Sequence, residues 1–63
     1  MKNIILEKRK AKKLTQEELA NLVGVTRQTI LAIENDKYDP TLKLAMTLAK
    51  FLGTTVDELF TLE

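Results

Sequence analysis

Apolar residues recur along this chain with the spacing of an α-helix. One apolar face consists of Leu19, Ala20 and Val23, and another consists of Ile30 and Ile33. Side chains three or four positions apart lie on the same side of a helix. The sequence therefore predicts an all-α chain in which each helix buries one face.

The segment 15–35 carries the clearest signals for helix ends. Thr15 to Glu18, T-Q-E-E, has the hydroxyl and the carboxylate of a capping box. Gly24 ends this helix because glycine adopts a positive φ without steric cost. Thr26 can cap a second short helix with its hydroxyl, up to about Asn35. The segment is predicted to be two short helices joined by a tight turn.

Another helix is expected before this segment, within Met1–Lys13. Asn3 is its candidate cap, and its inward residues are Ile5, Leu6 and Arg9. The first residues of the chain have a second possible role. The β-tolerant tail Phe60–Leu62 could pair with Met1–Asn3 as a short terminal strand.

Two more helices are expected after the segment. Helix 4 is capped by Thr41 or Asp39 and ends at Gly53. Its predicted inner face comprises Leu42, Ala45, Leu48, Ala49 and Leu52. A further capping box at 55–58 begins a short helix 5, which turns Val56 and Leu59 inward.

Composition narrows the classes of protein. The 63 residues include no Cys and no His, so disulfide scaffolds and zinc sites lack their usual ligands. No apolar run approaches the ~20 residues of a membrane span, and Ile4–Leu6 is too short for the apolar region of a signal peptide. We therefore expect one domain over residues 1–63, without metal or other cofactor, outside the membrane and in the cytoplasm.

Charge is distributed unevenly along the chain, although the net charge is only +1. Six basic residues and one acid lie between Lys2 and Lys13, whereas the last ten residues include Asp57, Glu58 and Glu63 and no base. This asymmetry suggests one end that faces phosphates and one that faces away from them. An ordinary solvated helix face is the alternative interpretation of the basic run.

Three strings of residues occur in a specific order and spacing. They are L-T-Q-E-E-L-A at 14–20, V-G-V-T-R-Q-T-I at 23–30 and I-E-N at 33–35. With them the chain resembles the Cro/cI-type (XRE) family of helix-turn-helix repressors, from about Ile5 to Phe60 and at the length of the short stand-alone members. The resemblance implies a compact five-helix, lambda-repressor-like DNA-binding domain whose third helix enters the major groove.

The outward side of that third helix supplies the candidate base contacts. At 100° per residue, Gln28, Leu31 and Ala32 lie opposite the inward isoleucines, and Arg27 flanks them. Arg can bridge O6 and N7 of guanine, and Gln can bridge N6 and N7 of adenine. Leu31 and Ala32 could contact thymine methyl groups.

Candidate phosphate contacts surround this helix. They are Gln16, Thr29, Asn35, Lys37 and Tyr38. Gln16 begins helix 2, where the dipole favours an anion, and the resemblance implies that it also steadies the side chains at the start of helix 3. Lys37 and Tyr38 lie in a polar loop that the resemblance places along the DNA backbone. Tyr38 could instead pack its ring against the domain.

Two further sets of residues have structural roles by this interpretation. The resemblance implies that Arg9 pairs with Glu34 and ties helix 1 to helix 3, the alternative being an ordinary exposed arginine. Apolar residues off the inward stripes suggest a homodimer interface within residues 44–63. They are Leu44, Phe51, Phe60 and Leu62. Alternatively, the two phenylalanines close the core of the monomer.

The leading hypothesis is a sequence-specific regulator of transcription, and a repressor in particular. As a homodimer it would bind a palindromic operator in double-stranded DNA, and no small-molecule ligand is evident. A second hypothesis is a protein-interaction module, such as an antitoxin-like helical dimer. An enzyme is the weakest option, because no His, Cys or Gly-rich phosphate loop is present.

Overall fold

The computed structural model describes residues 1–62 as five helices and a two-stranded sheet. The elements are β1 (Lys2–Asn3), α1 (Ile5–Ala11), α2 (Gln16–Val23), α3 (Arg27–Glu34), α4 (Leu42–Phe51), α5 (Val56–Leu59) and β2 (Phe60–Thr61). The five-helix class and the terminal β pairing are confirmed. Glu63, the last residue of the predicted domain and of its acidic tail, lies outside the described residues.

Threonines begin the helices from α2 onwards. In each case the hydroxyl accepts a hydrogen bond from the N–H three residues later, which satisfies a donor that the helix leaves unpaired. These caps are Thr15, Thr26, Thr41 and Thr55. The predicted helix starts in 15–58 are therefore correct, and Thr41, not Asp39, caps α4.

The cap of α2 also couples folding to pH. Thr15 N–H donates to Glu18 Oε1 over 2.8 Å, and Glu18 N–H donates to the Thr15 hydroxyl over 3.0 Å. The hydrogen bond from the Thr15 backbone, and then that from its side chain, lower the pKa of the Glu18 carboxyl. This stabilisation is complete above the ordinary pKa of a glutamate, and it is lost as pH falls through the lowered value.

Helices α1, α3 and α4 end with one hydrogen-bond pattern, the Schellman motif, and α2 ends at Gly24 with the same long bond, from Val25 N–H to the Ala20 carbonyl. A residue with positive φ follows the helix, and the N–H after it bonds to the carbonyl five residues back. The residues with positive φ are Lys13 (58°), Asp36 (58°) and Gly53 (69°). The N–H to O distances are 3.0 Å for Leu14 to Arg9, 2.9 Å for Lys37 to Ala32 and 2.9 Å for Thr54 to Ala49. Glycine suits this position, whereas Lys13 adopts it at a cost of about 1–2 kcal/mol.

The core receives side chains from all five helices. The largest fully buried ones are Ile5, Leu19, Ile30, Ile33, Leu48 and Leu59. Two leucines that were expected to point inward do not, because Leu6 is 43% exposed and Leu42 is 69% exposed. Each lies in the first turn of its helix. Leu6 is ~100° around the axis from the buried Ile5. Leu42 shares the angular position of the buried stripe, within ~20° of Ala49, but is the first residue of α4.

Strands β1 and β2 pair antiparallel and join the two ends of the described chain. Lys2 lies opposite Thr61, and Asn3 lies opposite Phe60. The Asn3 side chain accepts from the N–H of Ile5 over 3.2 Å and donates to the carbonyl of Ile33 over 2.8 Å. The N-cap of α1 is Ile4, not the Asn3 that the sequence predicts, and Ile4 makes no side-chain cap bond. Asn3 instead binds the first N–H of α1 and also holds the end of α3, which the sequence did not reveal.

Phe60 requires a correction to the predicted dimer interface. It is only 8% exposed and belongs to the monomer core, because the chain leaves α5 in an extended conformation that pairs with Asn3. Leu44 is half-buried against the same core, whereas Phe51 is 40% exposed and Leu62 is 87% exposed. A single chain thus uses Phe60 for itself and leaves Phe51 and Leu62 in solvent.

We expect Phe60→Ala to lower the free energy of unfolding by about 3–5 kcal/mol, because it removes a buried ring and leaves a cavity. Leu62→Ala, at a side chain that is 87% exposed, is the matched control and should change stability by no more than about 0.5 kcal/mol. Urea denaturation followed by circular dichroism measures both. Equal effects of the two substitutions would contradict the burial of Phe60.

Candidate nucleic-acid interface

A tight turn sets the angle between α2 and α3. Gly24 adopts φ 79°, and the N–H of Val25 returns to the carbonyl of Ala20 over 3.0 Å. Thr26 then starts α3 with its hydroxyl cap. Because Ile30 is 0% exposed and packs in the core, the rotation of α3 about its axis is fixed.

This rotation places the four predicted base-contact residues on the outward side of α3. Arg27 and Gln28 are exposed, Leu31 is 38% exposed, and Ala32 is half-buried. Together they offer a guanidinium, a carboxamide and an apolar edge along a single helical face. These groups can bind guanine, adenine and the thymine methyl, respectively.

The predicted phosphate contacts fall into two groups. Asn35, Lys37 and Tyr38 are exposed at the end of α3 and in the loop after it. Tyr38 is 46% exposed, so its ring does not close the core. Thr29 is half-buried, and its hydroxyl lies 3.0 Å from that of Thr26. The Thr29 hydroxyl, which is the predicted phosphate contact, is therefore already hydrogen-bonded to the residue that caps α3.

The predicted pair of Arg9 and Glu34 is present and nearly buried. Arg9 Nε donates to Glu34 Oε2 over 2.8 Å, and Nη2 donates to Oε1 over 3.3 Å, so the two groups meet as a fork. The side chains are only 10% and 5% exposed, respectively. Arg9 Nη1 also donates to the carbonyl of Leu14 over 2.9 Å, which ties the loop before α2 to the pair.

Gln16 contacts a different part of α3 from the one expected. Its Nε2 donates to Glu34 Oε1 over 2.9 Å. The side chain therefore steadies the C-terminal end of α3 and not its start. Glu34 is the last residue of α3. Its carboxylate faces α1 and the beginning of α2, because it pairs with the buried Arg9.

A shallow, open cleft lies at the N-terminus of α2. Its volume is about 460 Å³, and it is lined by Arg9, Lys13, Leu14, Thr15, Gln16, Glu17 and Arg27. Three of these side chains are cationic and one is anionic. The cleft also receives the positive end of the α2 dipole, so its chemistry suits an anion such as a phosphate. That Lys13 and Arg27 share this cleft could not be predicted from their separation in sequence.

The basic run at 2–13 does not form one phosphate-facing surface. Lys13 lines the cleft. Lys12 lies elsewhere, with its Cε and Nζ atoms 3.6 Å from where a Cβ would stand on Gly53, at the end of α4. A cation there complements the negative end of the α4 dipole. The sequence does not show that Lys12 and Lys13 lie at different places, because the basic residues of 2–13 follow one another closely along the chain.

The described part of the chain also bears on metal binding and on membrane insertion. In residues 1–62, no group of three or more acidic, histidine or cysteine side chains is arranged to hold a metal ion. No helix in that part is both long enough and apolar enough to cross a membrane.

Two capped helices, a glycine turn and an exposed face on the second helix define a helix-turn-helix DNA-binding domain. The sequence matches the helix-turn-helix family over residues 5–59, and the chain belongs to this family of transcriptional regulators in its XRE (Cro/cI) type.

Two relatives illustrate the family. An HTH-type transcriptional regulator of Methanocaldococcus jannaschii is 52% identical over 63 residues, which cover 100% of this chain and 96% of the relative. The cryptic phage CTXphi transcriptional repressor RstR of Vibrio cholerae is 46% identical over 46 residues, which cover 73% of this chain and 41% of the repressor.

Solved structures share the fold. The restriction-modification controller protein C.AhdI of Aeromonas hydrophila has a TM-score of 0.81 at 36% identity, covering 89% of this chain and 85% of that protein. Hydroxypropylphosphonic acid epoxidase from S. wedmorenis has a TM-score of 0.83 at 30% identity, but the match covers only 31% of the enzyme. The likeness to that enzyme is therefore confined to a small part of it.

We expect Glu34→Ala to lower the free energy of unfolding by about 3–5 kcal/mol, because Arg9 would remain charged and nearly buried without its partner. For a domain of this size, each kcal/mol lowers the melting temperature by about 4–8 °C. Glu17→Ala, at an exposed glutamate, is the control and should shift stability by no more than about 0.5 kcal/mol. Thermal melting of both variants is the measurement. A Glu34→Ala midpoint equal to that of wild type would show that the pair contributes nothing.

Proposed function

We propose that this protein is a repressor that binds a palindromic operator as a homodimer and acts on DNA in the cytoplasm. The observation that carries the proposal is the exposed face of α3 beside the cationic cleft of α2. The repressor name of the Vibrio cholerae relative supports repression as the mode of regulation.

Base recognition is assigned to Arg27, Gln28, Leu31 and Ala32. The first two lie in the first turn of α3, and N-terminal residues of a recognition helix reach base edges in the major groove. Arg27 also lines the cleft, so its guanidinium could contact either a guanine or a phosphate. Gln28 does not line the cleft, so a substitution there tests base recognition separately from phosphate binding.

Backbone contacts are assigned to the residues around α3. They are Gln16, Thr29, Asn35, Lys37 and Tyr38, with Lys13 added by its place in the cleft. These contacts fix the position of the domain on the duplex but carry no sequence information directly. Each neutralised phosphate releases counterions, so affinity depends on salt.

Selection of binding sites from random duplexes tests the proposal, and titrations on the selected operator test the residues. Gln28→Ala should weaken binding by about 1–3 kcal/mol and relax the choice of base at one position. Lys37→Ala should weaken all sequences alike and reduce the salt slope by about 1. For the wild-type dimer, log K should fall against log salt with a slope of about −5 to −9.

Three outcomes would count against the assignments. An unchanged operator preference in Gln28→Ala would show that this residue does not read bases. A flat salt response would exclude phosphate contacts. Failure to select any duplex would favour the alternative of a protein-interaction module.

Two arguments support the homodimer: the number of base pairs that an operator needs for specific recognition, and the apolar surface that the monomer leaves exposed. One recognition helix contacts only a few base pairs, whereas two related by a two-fold axis read half-sites about 34–36 Å apart. Phe51 and Leu62 are exposed in the C-terminal part of the chain, and Leu44 is half-buried on the stripe of α4 that includes Phe51. Asp57 and Glu58 of α5 are exposed in the same part of the chain and would face away from phosphates.

Helix α4 offers a matched pair of substitutions that tests the surface. Phe51 and Met46 lie on opposite flanks of α4 and are 40% and 57% exposed. In equilibrium sedimentation, wild type should be a dimer at micromolar concentration, Phe51→Glu a folded monomer, and Met46→Glu a dimer. Dissociation of Met46→Glu alone would place the interface on the other flank. A wild-type protein that remains monomeric even on its operator would contradict the homodimer.

A further inference from the structure

The Glu34 carboxylate binds two side chains at once. Its Oε1 accepts from Gln16 Nε2 over 2.9 Å and from Arg9 Nη2 over 3.3 Å, while its Oε2 accepts from Arg9 Nε over 2.8 Å. An ionised carboxylate only accepts hydrogen bonds. The carboxamide of Gln16 must therefore turn its nitrogen, and not its oxygen, towards Glu34.

This orientation determines what Gln16 can offer in the cleft. A carboxamide nitrogen carries two hydrogens, and one of them is used by Glu34. The second remains for another acceptor, in a cleft that Lys13 and Arg27 also line. Phosphate oxygens at neutral pH are acceptors, so they match this second N–H but would not match the amide oxygen.

We propose that Glu34 is a positioning residue for DNA binding, which holds the Gln16 carboxamide with its free N–H directed at a backbone phosphate. The inference rests on the proposed function. Arg9 donates to both oxygens of Glu34 and so fixes the carboxylate, with the two side chains 10% and 5% exposed. The buried pair thus belongs to the DNA interface through Gln16 and is more than a tie between helices.

Positioning and charge predict opposite changes in DNA affinity when Glu34 is replaced by Gln. Glu34 is an anion near the phosphate site, so Coulomb repulsion by itself predicts that Glu34→Gln tightens DNA binding. Loss of positioning predicts that it weakens binding, because the new amide can present either its oxygen or its nitrogen and no longer selects one orientation of Gln16.

A double-mutant cycle of Glu34→Gln and Gln16→Ala tests this, with affinity for the selected operator measured by fluorescence anisotropy at a temperature where circular dichroism shows every variant folded. Each single variant should bind about 3–10-fold more weakly, which is the value of one hydrogen bond. The double variant should bind no more weakly than Gln16→Ala. Glu17→Gln removes an equal charge, from a residue that lines the cleft, and is the control, which should bind as well as wild type or more tightly.

Several outcomes would overturn the inference. They are tighter binding by Glu34→Gln, a double variant whose loss is the product of the two single losses, and a Glu17→Gln variant as weak as Glu34→Gln. Wild type binds the operator in all of these, so they leave the proposed function intact. Absence of duplex binding by wild type would instead remove the proposed function and the inference with it.

A second variant covers the case in which Glu34→Gln does not fold. Glu34→Asp keeps the charge opposite Arg9 but withdraws the carboxylate by one methylene from Gln16. Replacing single phosphates of the operator with neutral methylphosphonates should identify one phosphate whose loss weakens wild type. That same replacement should have no effect on Gln16→Ala and a reduced effect on Glu34→Asp. A full wild-type effect in Glu34→Asp would contradict the positioning role.

Discussion

The fold depends on how one buried charge is satisfied. Arg9 is 8% exposed, and a buried guanidinium costs several kcal/mol unless its donors find acceptors. It finds them in Glu34 and in the carbonyl of Leu14. Because Glu34 also binds Gln16, one small network joins α1, the loop before α2, α2 and α3. A small domain has a small core, and apolar packing alone specifies the positions of its helices weakly. The hydrogen bonds of this network help to fix the positions of α1, α2 and α3 relative to one another.

Much of the fold could be predicted because its signals are local. The threonine caps, Gly24 and Gly53 act within a few residues of their own position. Errors arose where the environment is set by distant parts of the chain. The sequence places Phe60 on a dimer surface, because no local pattern shows that its strand pairs with Asn3. The left-handed conformation of Lys13 could not be predicted either, because no side-chain preference favours lysine there.

The candidate site also contains some features that local sequence predicts and others that depend on distant residues. The outward face of α3 follows from the burial of Ile30 and Ile33, which periodicity alone indicates. The direction of Gln16 does not follow from periodicity, because it depends on a carboxylate eighteen positions away in sequence. Spacing along a helix thus predicts which side chains are available, whereas the hydrogen bonds between helices decide how they are oriented.

The pairing of β1 with β2 has a consequence for the order of folding. The most extensive helix contact, between α2 and α3, joins neighbouring segments, whereas this sheet closes a loop that includes nearly the whole described chain. Closure of such a loop loses chain entropy that a pair of two-residue strands can hardly repay until the helices have brought the ends together. We therefore expect the sheet to form after the helices have packed. Separation of the two ends would release Asn3 from the carbonyl of Ile33 and from Asp36, so the end of α3 is tied to the joining of the two ends of the chain.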